Sequence, residues 1–296
     1  MNKNQANNFT ALWVKYSEYE IVEEKKVKYI KPTENAQYEV YDPFEIADEI
    51  LVDILNIGKI AGEDKDVDKS ILEFVNNYGL MGELTYLPLN NNLVYQKKVF
   101  LPKTNPITTK EVLPIEEYLE KFLVCDKKHR IQIFTSKDKN GPIGISNNSE
   151  ITANLFLNRG IEYNVVFSKG YSEQLQWIIE YAKYLYLIFG DIEIYYQQDN
   201  DELKSALNMF VKTFKVSNLT CKIEMLEKAT LVWDFNSLKQ AIDTILLLNE
   251  TTERKTVKMC KHCGKVFSSQ NLKAEYCSPQ CRNQANVYKS RAKNKE

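Results

Sequence analysis

Four of the six cysteines in this chain of 296 residues lie close together near its C-terminal end. They form two pairs, and only two or three residues separate the members of each pair. Zn²⁺ in structural sites takes four ligands in a tetrahedron, and four thiolates are among the commonest ligand sets. The spacing therefore predicts one structural zinc ion, held by Cys260, Cys263, Cys277 and Cys281.

The residues around the two pairs predict how each pair is presented to the ion. Gly264 follows the first pair and permits the left-handed conformation in which a tight turn often ends. Ser278 is a good N-cap and Pro279 a good first helical residue, so a helix should carry the last cysteine in its first turn. The interval between the pairs is long enough for a short hairpin, plugged by Val266 and Phe267. A knuckle, a hairpin and a helix in this order form a treble-clef finger.

Disulfides and redox chemistry are the alternative uses of these cysteines. The sequence has no apolar run long enough to cross a bilayer and no signal-peptide pattern at its start, which predicts a cytosolic protein with reduced thiols. Cys260 and Cys263 lack the βαβ context of a thioredoxin-like motif. Cys125 and Cys221 stand alone in or beside apolar stretches, which favours buried small hydrophobic residues. His262 is predicted to be a surface residue rather than a metal ligand.

The charge of the C-terminal segment differs from that of the rest of the chain. Residues 252–296 contain 11 lysines and arginines against 3 glutamates, whereas the remainder contains 28 basic against 37 acidic residues. A basic appendage on an acidic body is typical of a nucleic-acid contact. Helical spacing places Cys281, Ala285, Tyr288 and Ala292 on one face, toward zinc and the body. The adjoining exposed surface carries the residues that we predict to bind nucleic acid, namely Arg282, Asn286, Lys289, Arg291 and Lys293. A solvated basic helix, a dock onto the acidic body and a protein-binding surface are the alternatives.

A family resemblance is carried by the run Cys-x-x-Cys-Gly-x-x-Phe, by Tyr-Cys-Ser-x-x-Cys and by the basic helix that ends the chain. Together with the lead-in at residues 232–238, these motifs resemble the C-terminal zinc finger of bacterial CGNR-type proteins. That resemblance covers roughly the last 65 residues and implies a DNA-binding regulator with a variable domain in front. After the last cysteine, where the family motif has Gly, Asn and Arg, this chain has Arg282, Asn283 and Gln284. Tyr-Cys-Ser-x-x-Cys also looks like MYND-type fingers, which bind proteins but need a second metal site that this chain lacks.

The body of the chain predicts a mixed α+β fold of one or two packed domains, followed by the finger. Short aromatic and β-branched runs at residues 12–14, 27–30 and 38–41 predict an opening β-meander. Apolar spacing predicts helices from residue 43 to residue 58 or 62, at residues 66–78, and at residues 172–189, the last being central. The proposed divisions are residues 1–105 and 106–250 for two α+β domains and residues 255–296 for the finger.

The motifs give little support to an enzyme. The chain has two histidines, His129 and His262, and no nucleophile elbow, P-loop or dinucleotide-binding glycine motif. Acidic residues brought together by folding leave a metal-dependent nuclease open as a lesser alternative. The sequence favours a zinc-binding regulatory protein whose finger contacts DNA or RNA, while the body senses a ligand or mediates assembly. The second interpretation is a protein-interaction adaptor, and the oligomeric state stays open.

Overall fold

The computed structural model describes residues 9–10, 12–83, 98–100, 108–114, 117, 121, 172–216, 219–225, 229–235 and 237–293. These residues form helices and groups of short, mostly antiparallel strands in small sheets, so the fold is mixed α+β as expected. In chain order the elements are β1 (Phe9–Thr10), β2 (Trp13–Tyr16), β3 (Tyr19–Glu24), β4 (Val27–Pro32), β5 (Tyr38–Tyr41), α1 (Ala47–Gly62), α2 (Asp68–Tyr78), β6 (Lys98–Phe100), β7 (Val112–Pro114), β8 (Glu173–Gln174), α3 (Leu175–Tyr195), α4 (Asp201–Val211), β9 (Thr220–Met225), β10 (Ala229–Asp234), α5 (Leu238–Thr251), β11 (Val257–Met259), β12 (Val266–Ser268) and α6 (Pro279–Lys293).

Strands β2 to β5 belong to two small sheets rather than to the single meander that the sequence predicts. β2 pairs with β5 in antiparallel register, whereas β3 and β4 form a hairpin whose outer partner is β8. The meander prediction was wrong because β2 pairs directly with β5, whereas β4 pairs with β3 and with β8. The residue of β8 opposite Ile30 is Glu173, more than 140 residues further along the chain. Such a pairing leaves no trace in local patterning. β6 pairs with β7, and β10 lies between β1 and β9.

Helix α1 lies against helix α3, and the two form the middle of the hydrophobic core. Both were predicted from apolar spacing, although α1 begins at Ala47 rather than at residue 43 and α3 extends to Tyr195. Gly58 makes the close approach possible, because a Cβ at this position would stand 2.0 Å from the carbonyl oxygen of Ala182. The cost of a glycine within a helix, about 0.5–1 kcal/mol, is offset by this contact between helices.

One hydrophobic core joins residues from all three predicted segments. It contains Ile54 of α1, Leu185 of α3, Leu246 of α5 and, from the finger, Val257 and Val266. The predicted boundary near residue 105 lies outside the described residues, as do Cys125 and His129. Among the described helices, none is both long and apolar enough to cross a membrane.

Candidate metal centre

The first cysteine pair lies at the tip of the β11–β12 hairpin. Cys260 directly follows β11. Its N–H donates to the carbonyl of Lys265 at 2.9 Å, and its carbonyl accepts from the N–H of Gly264 at 2.9 Å. Gly264 has φ +70°, as the predicted tight turn requires. The hairpin position corrects the sequence prediction, because β12 pairs with β11 before the first cysteine pair and not with a strand between the two pairs. The two strands of the hairpin have three residues each and lie on either side of the tight turn. Neither strand therefore lies in the interval between β12 and the second cysteine pair.

The second cysteine pair lies at the start of helix α6, as predicted. The hydroxyl of Ser278 accepts a hydrogen bond from the N–H of Cys281 at 3.2 Å, and Pro279 is the first helical residue. The loop that leads into this helix is tied back to the knuckle, because the N–H of Lys261 donates to the carbonyl of Glu275 at 3.0 Å. The two halves of the centre are thus held together by backbone contacts beside the cysteines.

The four sulfur atoms converge on one point. All lie within 4.8 Å of one another, with 3.7 Å between the sulfurs of Cys263 and Cys277 and 3.6 Å between those of Cys277 and Cys281. Tetrahedral coordination with metal–sulfur bonds of about 2.3 Å places neighbouring sulfurs about 3.8 Å apart. The four cysteines are therefore close enough to bind a metal ion. Within the described part of the chain, no other group of three or more histidine, cysteine or acidic side chains has ligand atoms placed to hold a metal ion.

The protonation of the thiols also favours a bound cation. Burial acts to raise the pKa of Cys260, but hydrogen bonds from the backbone of Cys277, Cys263 and His262 outweigh it and lower that pKa to about 6. Burial and the neighbouring sulfur atoms instead raise the pKa of Cys277 to about 12, and burial raises that of Cys263. Thiols this close resist joint ionisation, since like charges within a few ångströms disfavour one another. A divalent cation removes that conflict by neutralising the thiolates.

The hairpin of the finger is built into the core of the body. Val257 and Val266 are fully buried, and the side-chain amide of Asn56 on α1 clamps Val266. Its Nδ2 donates to the carbonyl and its Oδ1 accepts from the N–H of Val266, both at 2.9 Å. Asn249 on α5 does the same for Val257, at 3.2 and 3.1 Å. The strands that carry the metal centre are therefore fixed by helices of the body.

Two further side chains of the body hold the outer parts of the hairpin. The carboxylate of Asp48 accepts hydrogen bonds from the hydroxyls of Thr256, at 2.9 Å, and Ser268, at 2.7 Å. The hydroxyl of Tyr186 donates to the carbonyl of Gly264 at 3.0 Å. These contacts were not predicted from the sequence, although Asn56 stands between the buried apolar residues Leu55 and Ile57 and is a polar interruption of the helix pattern.

Helix α6 presents the described candidates for nucleic-acid binding to solvent. Arg282, Asn286 and Arg291 are exposed, while Lys289 and Lys293 lie on the same helix and their side chains are outside the described set. Ala285 is buried toward the metal centre, as predicted.

Tyr288 departs from its predicted orientation, because its side chain is 61% exposed. One side of its ring stacks on His262, with ring centroids 5.7 Å apart, so the residue bridges helix and knuckle instead of facing the core. The Nε2 of His262 lies 2.8 Å from Oε1 of Gln284. The histidine thus links the first cysteine pair to the helix that carries the second.

A cavity of about 620 Å³ opens beside the metal centre. One wall is the end of α3, with Glu193 and Ile194, and the turn that follows it, with Gln197. The opposite wall is the finger, which contributes Met259, Lys261, His262, Tyr276, Ala285 and Tyr288. The cavity exists only because the finger is docked against α3, and no local sequence pattern indicates it.

A separate group of buried acidic side chains lies in the body. The carboxylate of Glu173 accepts hydrogen bonds from three successive backbone N–H groups, those of Met81, Gly82 and Glu83, at 2.7 to 3.0 Å. Burial raises the pKa of Glu83 to about 7, with Glu173 and Asp243 adding to the rise and Lys239 opposing it. This group fixes the chain between α2 and the central helices, and sequence analysis did not find it.

Comparison of the chain with protein-family models, with curated proteins and with solved structures finds no match.

Proposed function

We propose that the chain is a zinc-binding protein whose finger contacts nucleic acid through helix α6. The observation that carries this proposal is the exposure of Arg282, Asn286 and Arg291 on a helix whose first turn holds a ligand of the metal centre. Cationic side chains in such an arrangement can reach phosphates, and Asn or Arg can reach base edges. The resemblance to CGNR-type fingers points the same way, and the reduced thiols of the centre are compatible with a cytosolic location.

The ligand set supports zinc among divalent ions. Four cysteine thiolates in a tetrahedron are typical of structural zinc, and the arrangement has no open position for a substrate. The finger keeps a positive charge when loaded. Four thiolates and one Zn²⁺ contribute about −2, which leaves residues 252–296 at about +6 after their surplus of basic residues is counted.

The test is fluorescence anisotropy of labelled duplex DNA and of single-stranded RNA and DNA with zinc-loaded full chain over a series of salt concentrations. We expect saturable binding that weakens with salt, because released counterions set the slope of affinity against salt. A double charge reversal, Arg282→Glu with Arg291→Glu, should abolish most of the binding. The matched control is Lys25→Glu with Lys26→Glu, which changes the net charge equally at an exposed turn of the body.

Either of two results would contradict the proposal. One is an absence of binding to every probe at low salt. The other is an equal loss of binding in the two double variants, which would mean that net charge rather than the finger helix governs the affinity.

A second candidate function is a protein-interaction adaptor. The observation in its favour is that the finger exposes apolar surface, with Val287 at 47%, Leu272 at 54% and Tyr288 at 61% exposed. Single exposed apolar residues are common on soluble proteins, which is why we rank this candidate second. Partner capture with wild type and with Val287→Ser/Leu272→Ser tests it, and recovery of the same proteins by both would remove the adaptor function.

A further inference from the structure

We propose that the cavity beside the metal centre takes one unpaired base of a single-stranded nucleic acid, an inference that rests on the proposed function. It names the class of nucleic acid that the finger prefers. Three features of the cavity carry it: its position, its size and its aromatic wall.

The position joins the cavity to the basic helix. Ala285 and Tyr288 of α6 form part of its lining, and Asn286 lies between them in sequence on the exposed surface. A strand whose phosphates follow the cations of α6 therefore passes the mouth of the cavity. Lys261 also lines the cavity and is half-exposed, paired with Glu275 at 2.6 Å.

The size is sufficient for a base with part of its sugar. Pockets that hold small organic ligands measure about 300–1,000 Å³, and this cavity of about 620 Å³ falls within that range. Its lining combines apolar groups, such as Met259 and Ile194, with the amide of Gln197. An amide that donates and accepts can meet the edge of a base.

The aromatic wall supplies a surface for stacking. Tyr288 is held on one side by His262, and its exposed side chain leaves a further surface free of described contacts. Tyr276 lies on the same wall and is half-buried. Stacking on aromatic side chains is the usual way in which proteins hold bases of single strands, and it tolerates any base. A base inside a duplex is already stacked and paired, so it cannot enter without being flipped out.

The experiment compares three probes of equal length on the zinc-loaded full chain. The first is a labelled single-stranded oligonucleotide in DNA and RNA forms, the second is the same backbone with abasic sites throughout, and the third is the duplex. The abasic probe keeps every phosphate and lacks every base. We expect the abasic probe to bind about 5- to 150-fold more weakly than the normal single strand, which is the range for the stacking of one base.

Two variants change the cavity from opposite walls. Tyr288→Ala removes the stacking ring from the finger. Ile194→Trp fills the cavity from α3 and changes no residue of the finger. Both should reduce binding of the normal single strand to the level of the abasic probe while leaving the abasic probe unchanged. Tyr288→Phe keeps the ring and should behave as wild type, as should Tyr38→Ala, since Tyr38 is a similarly exposed tyrosine on β5. Zinc content and helical circular dichroism verify that each variant is folded.

The outcomes separate this inference from the proposed function. Equal affinity for the abasic and normal probes, or normal binding by both cavity variants, would overturn the base pocket and leave the phosphate contact of α6 standing. An absence of binding to all probes would overturn both.

Discussion

The amide clamp of Asn56 on Val266 is the contact whose loss best tests whether the finger is part of the main fold. Asn56→Ala removes two hydrogen bonds of 2.9 Å and leaves the N–H and the carbonyl of a fully buried residue without partners. A buried polar group without a partner costs about 1–3 kcal/mol. Asn56 itself is half-buried, so water reaches part of the vacated space. The lower part of that range therefore applies to each of the two groups. We expect the free energy of unfolding to fall by about 2–3 kcal/mol.

The assay is urea denaturation followed by tryptophan fluorescence, because two of the three tryptophans, Trp13 and Trp177, are buried in the body at 3% and 4% exposure. With a slope of about 2–3 kcal/mol/M, the midpoint should fall by about 1 M. The control is Asn77→Ala, an exposed asparagine on α2, which should change the free energy of unfolding by less than about 0.5 kcal/mol. If the two variants share a midpoint, the finger contributes nothing to the stability of the body and our account of the interface is wrong.

Two more predictions concern the metal and a buried acid. Chelation should lower the thermal midpoint of the whole chain. The loss is equivalent to about 2.7 kcal/mol if the free metal had exceeded its dissociation constant 100-fold. Added Zn²⁺ should restore the midpoint, and Cys263→Ser should abolish the response. An unchanged midpoint in chelator would argue against a bound structural metal. Burial raises the pKa of Glu83 from 4.5 to about 7, so the folded state binds more protons than the unfolded state between these values. Stability should therefore fall by about 3 kcal/mol as pH rises from about 4.5 to above 7. Denaturation curves across this range should lose that component in Glu83→Gln and keep it in the exposed control Glu34→Gln; a loss in both would refute the assignment.

Much of the candidate site could be predicted because its signals are local. The two cysteine pairs, the turn at Gly264 and the cap at Ser278 depend on residues a few positions apart, and the structure confirms each of them. The start of α5 also depends on near neighbours, since the hydroxyl of Ser237 accepts from the N–H of Gln240 at 3.1 Å. The predicted position of the hairpin was wrong. Its strands are too short to show an alternating apolar pattern, and their pairing depends on the helices of the body that pack around them.

The sequence by itself determined the cluster of four cysteines, the helices with apolar spacing and the basic character of the last helix, because each follows from neighbours along the chain. The tertiary structure decided where the finger sits. Asn56 and Val266 are 210 residues apart, and Asp48 and Ser268 are 220 apart, so no spacing rule connects them. Docking buries Val257 and Val266 and creates both the amide clamps and the cavity against α3. These features depend on which apolar surfaces are buried against each other, and that pairing is determined only by the packing of the whole core.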